Sequence, residues 1–183
     1  WRLRRLIRPA PAGASPADPL AVELGGLLGR NHMTIAVAES CTGGLLGSLI
    51  TDVPGSSAYF LGGAIAYADD VKRNELEVPA SLLTKHGAVS REVAIAMAEG
   101  ARSRFSSAFG VSITCIAGPD ADGSDKPVGL TYIAIASARG TRCDEHVLHG
   151  DRWSNRREAA AQALRSLIEE VATAPQASER KPA

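Results

Sequence analysis

The sequence has no surplus of charge of either sign: 20 Lys and Arg stand against 20 Asp and Glu, a formal net charge of zero. That excludes a global basic field of the kind that draws a chain onto nucleic acid or an anionic membrane, and leaves room for a small anionic ligand held by local groups. Cysteine is scarce as well. Cys41, Cys115 and Cys143 are odd in number and show no CxxC spacing, which argues against a disulfide framework and a metal site and fits a reducing cytoplasm. No apolar run approaches the roughly 20 residues that span a bilayer, and no apolar signal core follows the basic N-terminus. The expectation is a soluble protein with no membrane or nucleic-acid partner, long enough at 183 residues for one domain of roughly 150 residues.

What is present is organised around Thr34–Gly44, TIAVAESCTGG. Its first half is a short apolar run with β-branched members, suited to a strand buried on both faces. Its second half is polar and glycine-ended and leads into the helical pattern of Leu45 onward, so the stretch reads strand, tight turn, helix. Two readings of Ser40 and Thr42 follow from spacing. They cap the helix, or Ser40 is a nucleophile in a turn whose free backbone N–H groups hold an oxyanion or a phosphate.

The remainder alternates between strand and helix patterns. Residues 1–17 are basic and then rich in Pro and Ala, a composition that buries no core, and 173–183 form a second polar tail. Between them, 18–172 reads as one domain. Asp18-Pro19 opens a helix, 61–67 is a strand, Pro79 and Ser90 start further helices, and 111–117, 128–137 and 141–149 are strands with a hairpin turn at 138–140. A last amphipathic helix follows Ser154. The fold class predicted is α/β: a single-domain mixed β-sheet covered by helices in three layers, α/β/α, with an antiparallel strand pair late in the chain.

Several stretches together resemble one family. AESCTGG at 38–44, TDVPGSSAYFLGGAIAY at 51–67 with the following Lys72, HGAVSREVAIAMAEGAR at 86–102, TCIAGPD at 114–120, KPVGLTYIAIA at 126–136 and GDR at 150–152 are similar to the C-terminal domain of the competence-damage-inducible protein CinA. The resemblance runs in order over roughly 18–172. It implies a nicotinamide mononucleotide amidohydrolase, or NMN deamidase, which hydrolyses the carboxamide to nicotinic acid mononucleotide and ammonia in NAD salvage. It further implies a cytoplasmic homodimer, no cofactor and no metal. Carried over by position, the serine nucleophile is Ser40, assisted by Lys72 and Tyr67.

That assignment makes chemical sense. An amide is a poor electrophile, so the hydroxyl must shed its proton as it attacks, and a desolvated lysine can take it where no histidine stands near. Tyr67 either relays a proton to the leaving ammonia or fixes the serine hydroxyl. Thr42, Gly43 and Gly44 are candidates for the oxyanion hole or for holding the ligand phosphate. Ser57, Thr114 and Gly118 are further substrate-binding candidates, and Arg152 or Arg156 suits the phosphate through a bidentate fit. Cys41, next to the serine, reads as a buried structural cysteine.

The sequence departs from the family pattern at two places. Cys115 replaces the glycine of the usual TGIAGP, and Asp120-Ala121-Asp122-Gly123-Ser124-Asp125 replaces much of a glycine-rich loop, adding three carboxylates near a phosphate-bearing substrate. The misplaced glycine of that run argues against a calcium loop. These departures keep two alternatives open: an amidase for a different nucleotide amide, and a non-catalytic interaction module connected with competence.

Overall fold

In the computed structural model, which describes residues 17–174, the elements follow the order α1 (Pro19–Asn31), β1 (Ile35–Glu39), α2 (Leu45–Thr51), a 3₁₀ turn (Ser56–Ala58), β2 (Phe60–Ile65), α3 (Asp69–Leu76), α4 (Ala80–His86), α5 (Arg91–Arg104), β3 (Phe109–Cys115), β4 (Leu130–Ser137), β5 (Gly140–Val147) and α6 (Arg152–Ala172). The expected tails lie almost wholly outside the described residues. The five strands form one sheet in the order β2-β1-β3-β4-β5. β1 is parallel to both its neighbours, while β3-β4 and β4-β5 are antiparallel. This is the mixed sheet that the strand patterns predict.

Alternation along β1 decides which layer each side chain joins. Ile35 and Val37 enter the core that packs α1, α2 and α6 through Leu24, Leu28, Leu46, Ile50, Leu164 and Leu167. Ala36 and Ala38 face the other way, against Leu76, Val93 and Met97 of α3 and α5. Both sheet faces are covered, so every residue of β1 and of β3 is buried. The stripe read on α5 holds: Val93, Met97 and Ala101 are fully enclosed, and Phe105 packs against them from the helix end.

Two differences from the sequence reading concern the ends of elements. α6 starts at Arg152 rather than after Ser154, because the Asp151 carboxylate accepts from the Ser154 N–H at 2.8 Å and caps the helix. Those hydrogen bonds hold the Asp151 carboxyl below its ordinary pKa. Cysteine pairing is the second. Cys41 and Cys115 form a disulfide, with Cα atoms 5.7 Å apart, within the usual range. They are 74 residues apart in sequence, and the parallel register, which sets Glu39 opposite Ile113, brings the residues two positions further on side by side. The cysteine-based argument for a reducing compartment therefore does not hold. Cys143 is free, and burial pushes its thiol up to about 11.

At Gly110 the backbone of α5 packs directly on the sheet. A Cβ there would sit 2.1 Å from the Ala98 carbonyl oxygen and 2.7 Å from the Arg102 nitrogen, both backbone atoms. Gly110→Ala is expected to destabilise the fold by about 3 kcal/mol, as overpacking that only a helix shift can relieve. Gly29→Ala meets nothing within 4 Å and should stabilise by about 0.8 kcal/mol through helix propensity. Urea midpoints of the two variants check both signs.

Candidate active site

The C-terminal ends of β1, β2 and β3 lie together because the three strands are parallel. Crevices outside the carboxyl ends of such strands are the common ligand positions of open α/β sheets. Ser40 is the first residue past β1, and its N–H donates to the Ile113 carbonyl at 3.0 Å. The neighbouring chain is tied in the same way, the Ala66 N–H donating to the Glu39 carbonyl at 2.7 Å. Tyr67 follows directly, so register alone sets Tyr67 and Ser40 at the ends of adjacent strands.

Lys72, in α3, is 1 % exposed and the largest of the fully buried side chains. Its Nζ donates to the Tyr67 carbonyl at 3.0 Å and to Asp69 Oδ1 at 3.2 Å. Lysine is seldom buried unless paired, and here the Asp69 carboxylate and a carbonyl receive two of its three protons. Ser40 is 9 % exposed, and among the described residues no hydrogen bond joins its hydroxyl to Lys72 or to the Tyr67 phenol. Such catalytic contacts are commonly long until substrate is seated.

The turn after Ser40 is built from inside by Glu39, a residue the sequence analysis overlooks. Its 1 %-exposed carboxylate accepts from the N–H groups of Gly44 at 3.0 Å, Leu46 at 3.1 Å and Gly47 at 2.8 Å. The Gly43 N–H donates to the Ser40 carbonyl at 3.1 Å. The amides of Gly43 and Gly44 are thus engaged within the protein, which corrects their reading as oxyanion or phosphate donors. What the two glycines supply is conformation, at φ +63° and +96°. Thr42 differs. It is fully buried, its Oγ1 has no hydrogen-bond partner, and among the described residues its N–H has none either.

The first turn of α6 closes the crevice. Arg152 and Arg156, four residues apart, share a helix face. Arg152 donates from Nη1 to the Gly118 carbonyl at 2.8 Å and from Nη2 to the Tyr67 hydroxyl at 3.1 Å. Arg156 donates from Nε to the Cys41 carbonyl at 2.9 Å and from Nη2 to the Thr42 carbonyl at 2.7 Å. Asn155, also overlooked, is buried and bonds the Ala117 carbonyl and both backbone groups of Gly150. It fixes α6 to the β3 end.

Other candidates fall differently. Gly118, at φ +92°, lies in this crevice through its carbonyl. Thr114 stands at the end of β3, but its hydroxyl donates to the Ala88 carbonyl at 2.9 Å, a structural bond. Ser57 is a correction: its 3₁₀ turn precedes β2 and neighbours the start of β1, where the Ile35 N–H donates to Tyr59, at the opposite end of the parallel strands from Ser40. The 120–125 loop, which follows Gly118, is exposed; Ser124 donates twice to the Asp122 carboxylate and holds its pKa below the ordinary value.

Comparison with known proteins agrees with this architecture. The family model described as the CinA C-terminal domain matches residues 17–171. A CinA-like protein of Solibacter usitatus is 50% identical over 147 residues, covering 80% of this chain and 35% of its own length. One of Gemmatimonas aurantiaca is 47% identical over 150 residues, covering 82% and 35%. The chain therefore spans about a third of the length of these relatives. Among solved structures, the competence/damage inducible protein CihA of Agrobacterium tumefaciens is 35% identical with a TM-score of 0.80, over 85% of this chain and 96% of that one. By the extent of the family match and the identity to these relatives, this chain belongs to the CinA C-terminal domain family.

Proposed function

We propose that the chain is an amidohydrolase of nicotinamide nucleotides, converting nicotinamide mononucleotide and water to nicotinic acid mononucleotide and ammonia in pyridine nucleotide salvage. The observation that carries this reading is the enclosed Lys72, which reaches the backbone of Tyr67 at the strand end beside Ser40. In this reading Ser40 Oγ attacks the carboxamide carbon while Lys72, reacting as the neutral amine with its two N–H groups on Tyr67 and Asp69, takes the hydroxyl proton on its lone pair. The tetrahedral oxyanion is met by backbone N–H groups of the turn after Ser40, where those of Cys41 and Thr42 have no partner among the described residues. Collapse expels ammonia, protonated by Lys72 or by Tyr67, whose hydroxyl Arg152 holds. Water then releases the acyl group from Ser40 by the reverse proton path. The step needs no redox partner.

The substrate phosphate falls to Arg152, whose Nη2 rests on the exposed Tyr67 phenol, a partner a phosphate can displace, whereas Arg156 holds two carbonyls of buried residues. We further assign the exposed face of β2 to a homodimer contact: Leu61 and Ile65 alternate along it at 44% and 58% exposure. An enclosed lysine at the strand end that carries Ser40 is the feature that favours the enzyme over a non-catalytic module. The purified chain, treated with chelator, is expected to release ammonia from nicotinamide mononucleotide. Absence of turnover, with and without added divalent metal, would sink the proposal.

A further inference from the structure

We infer that Arg156 is a positioning residue that holds the turn after Ser40 in its working conformation, and is not a ligand of the substrate phosphate. The inference rests on the proposed hydrolase reading and extends it to a residue that touches no reacting atom. Arg156 Nε and Nη2 donate to two successive carbonyls, those of Cys41 and Thr42, at 2.9 Å and 2.7 Å. Both residues are buried, at 7 % and 0 % exposure, so those oxygens would otherwise be enclosed acceptors. The guanidinium is planar and its donors fixed in a fork, so two contacts set the orientation of both peptide planes.

The consequence follows from peptide geometry. In a trans peptide the C=O of one residue and the N–H of the next point in opposite directions. The Cys41 carbonyl is held by Arg156, so the Thr42 N–H points away from α6. The next plane shows the same relation made visible: the Thr42 carbonyl is held by Arg156, and the Gly43 N–H turns back to the Ser40 carbonyl at 3.1 Å. The N–H groups of Cys41, Thr42 and Leu45 are left as the unpaired donors of the turn among the described residues. Cys41 is tied a second time by its disulfide to the end of β3. Glu39 holds the far side, at Gly44, Leu46 and Gly47. Arg156 is the side chain that holds the planes on either side of Thr42, the second of them shared with the Gly43 N–H bond to Ser40.

The test compares Arg156→Gln and Arg156→Lys on nicotinamide mononucleotide and on the corresponding riboside, which lacks the phosphate. The expected result is a fall in kcat of about 10²-fold for Gln, smaller for Lys, with KM moved less than about twofold on both substrates. Free guanidinium added to Arg156→Ala should restore part of the rate. A KM that rises tenfold or so for the mononucleotide alone, with kcat kept, makes Arg156 a phosphate ligand and overturns the inference, as does an unchanged rate. If the intact protein hydrolyses neither compound, the hydrolase reading has failed, and amide hydrogen exchange judges the positioning role alone. Faster exchange confined to 41–44 in folded Arg156→Lys supports it; unchanged exchange there refutes it.

Discussion

Ser40→Ala is expected to lower kcat for ammonia release by about 10³-fold or more while leaving the melting temperature within about 2 °C of the parent. The two halves of that expectation come from one observation. The Ser40 side chain retains 9 % exposure and makes no hydrogen bond among the described residues, so its removal leaves no buried group without a partner. Its N–H, which donates to Ile113, belongs to the backbone and survives the substitution. Lys72→Met, which keeps the apolar stem, should lose comparable activity at a greater structural cost, since the Tyr67 carbonyl and Asp69 lose their donor. If nucleophile and base act as a unit, the double variant is hardly slower than either single one. Ser40→Ala with a tenth or more of the parent rate would point to a different nucleophile or to direct attack by water.

Glu39→Ala should be the most damaging change to stability, at about 4 kcal/mol and roughly 10 °C in melting temperature. The carboxylate is 1 % exposed and receives three N–H groups at the start of α2, at 2.8–3.1 Å. Hydrogen bonds to an ionised acceptor exceed neutral ones in strength, and the donors left behind have no water to turn to. A small cavity adds to the loss. Glu39→Gln keeps an oxygen for some of these donors but turns an NH₂ group toward the rest, so about half the effect is expected. Thermal unfolding of both variants decides it. A Gln variant as stable as the parent would mean that Glu39 is an interchangeable buried polar group rather than the frame of the turn.

The contrast between the two residues explains how far the sequence could be read. The turn that carries Ser40 is legible because a polar, glycine-ended segment follows an apolar run, a change of character visible along the chain. Glu39 is not. In the sequence it is one more carboxylate of 20 acidic groups, and nothing before folding says that it turns inward against the amides of α2. Lys72 is intermediate, for family resemblance marks it as important, whereas its enclosure emerges only when α3 packs beside β2. Ser57 shows the opposite error. It stands in a matching motif, yet the direction of β2 carries it to the far end of the strands.

The sequence by itself determined the succession of strands and helices, the two-sided burial of β1, the hairpin at the end of the sheet and the turn that bears Ser40. All of these depend on periodicity, capping and turn chemistry within a few neighbouring residues. Tertiary structure decided what depends on register between distant segments. It joined Cys41 to Cys115, took the Gly44 amide for Glu39, and gave Arg152 to Tyr67 and Gly118. It also placed Arg156 on carbonyls 114 and 115 residues away. Hydrogen-bonding groups bind whichever partner packing brings within about 3 Å, and that distance is set by the whole sheet and not by the local chain.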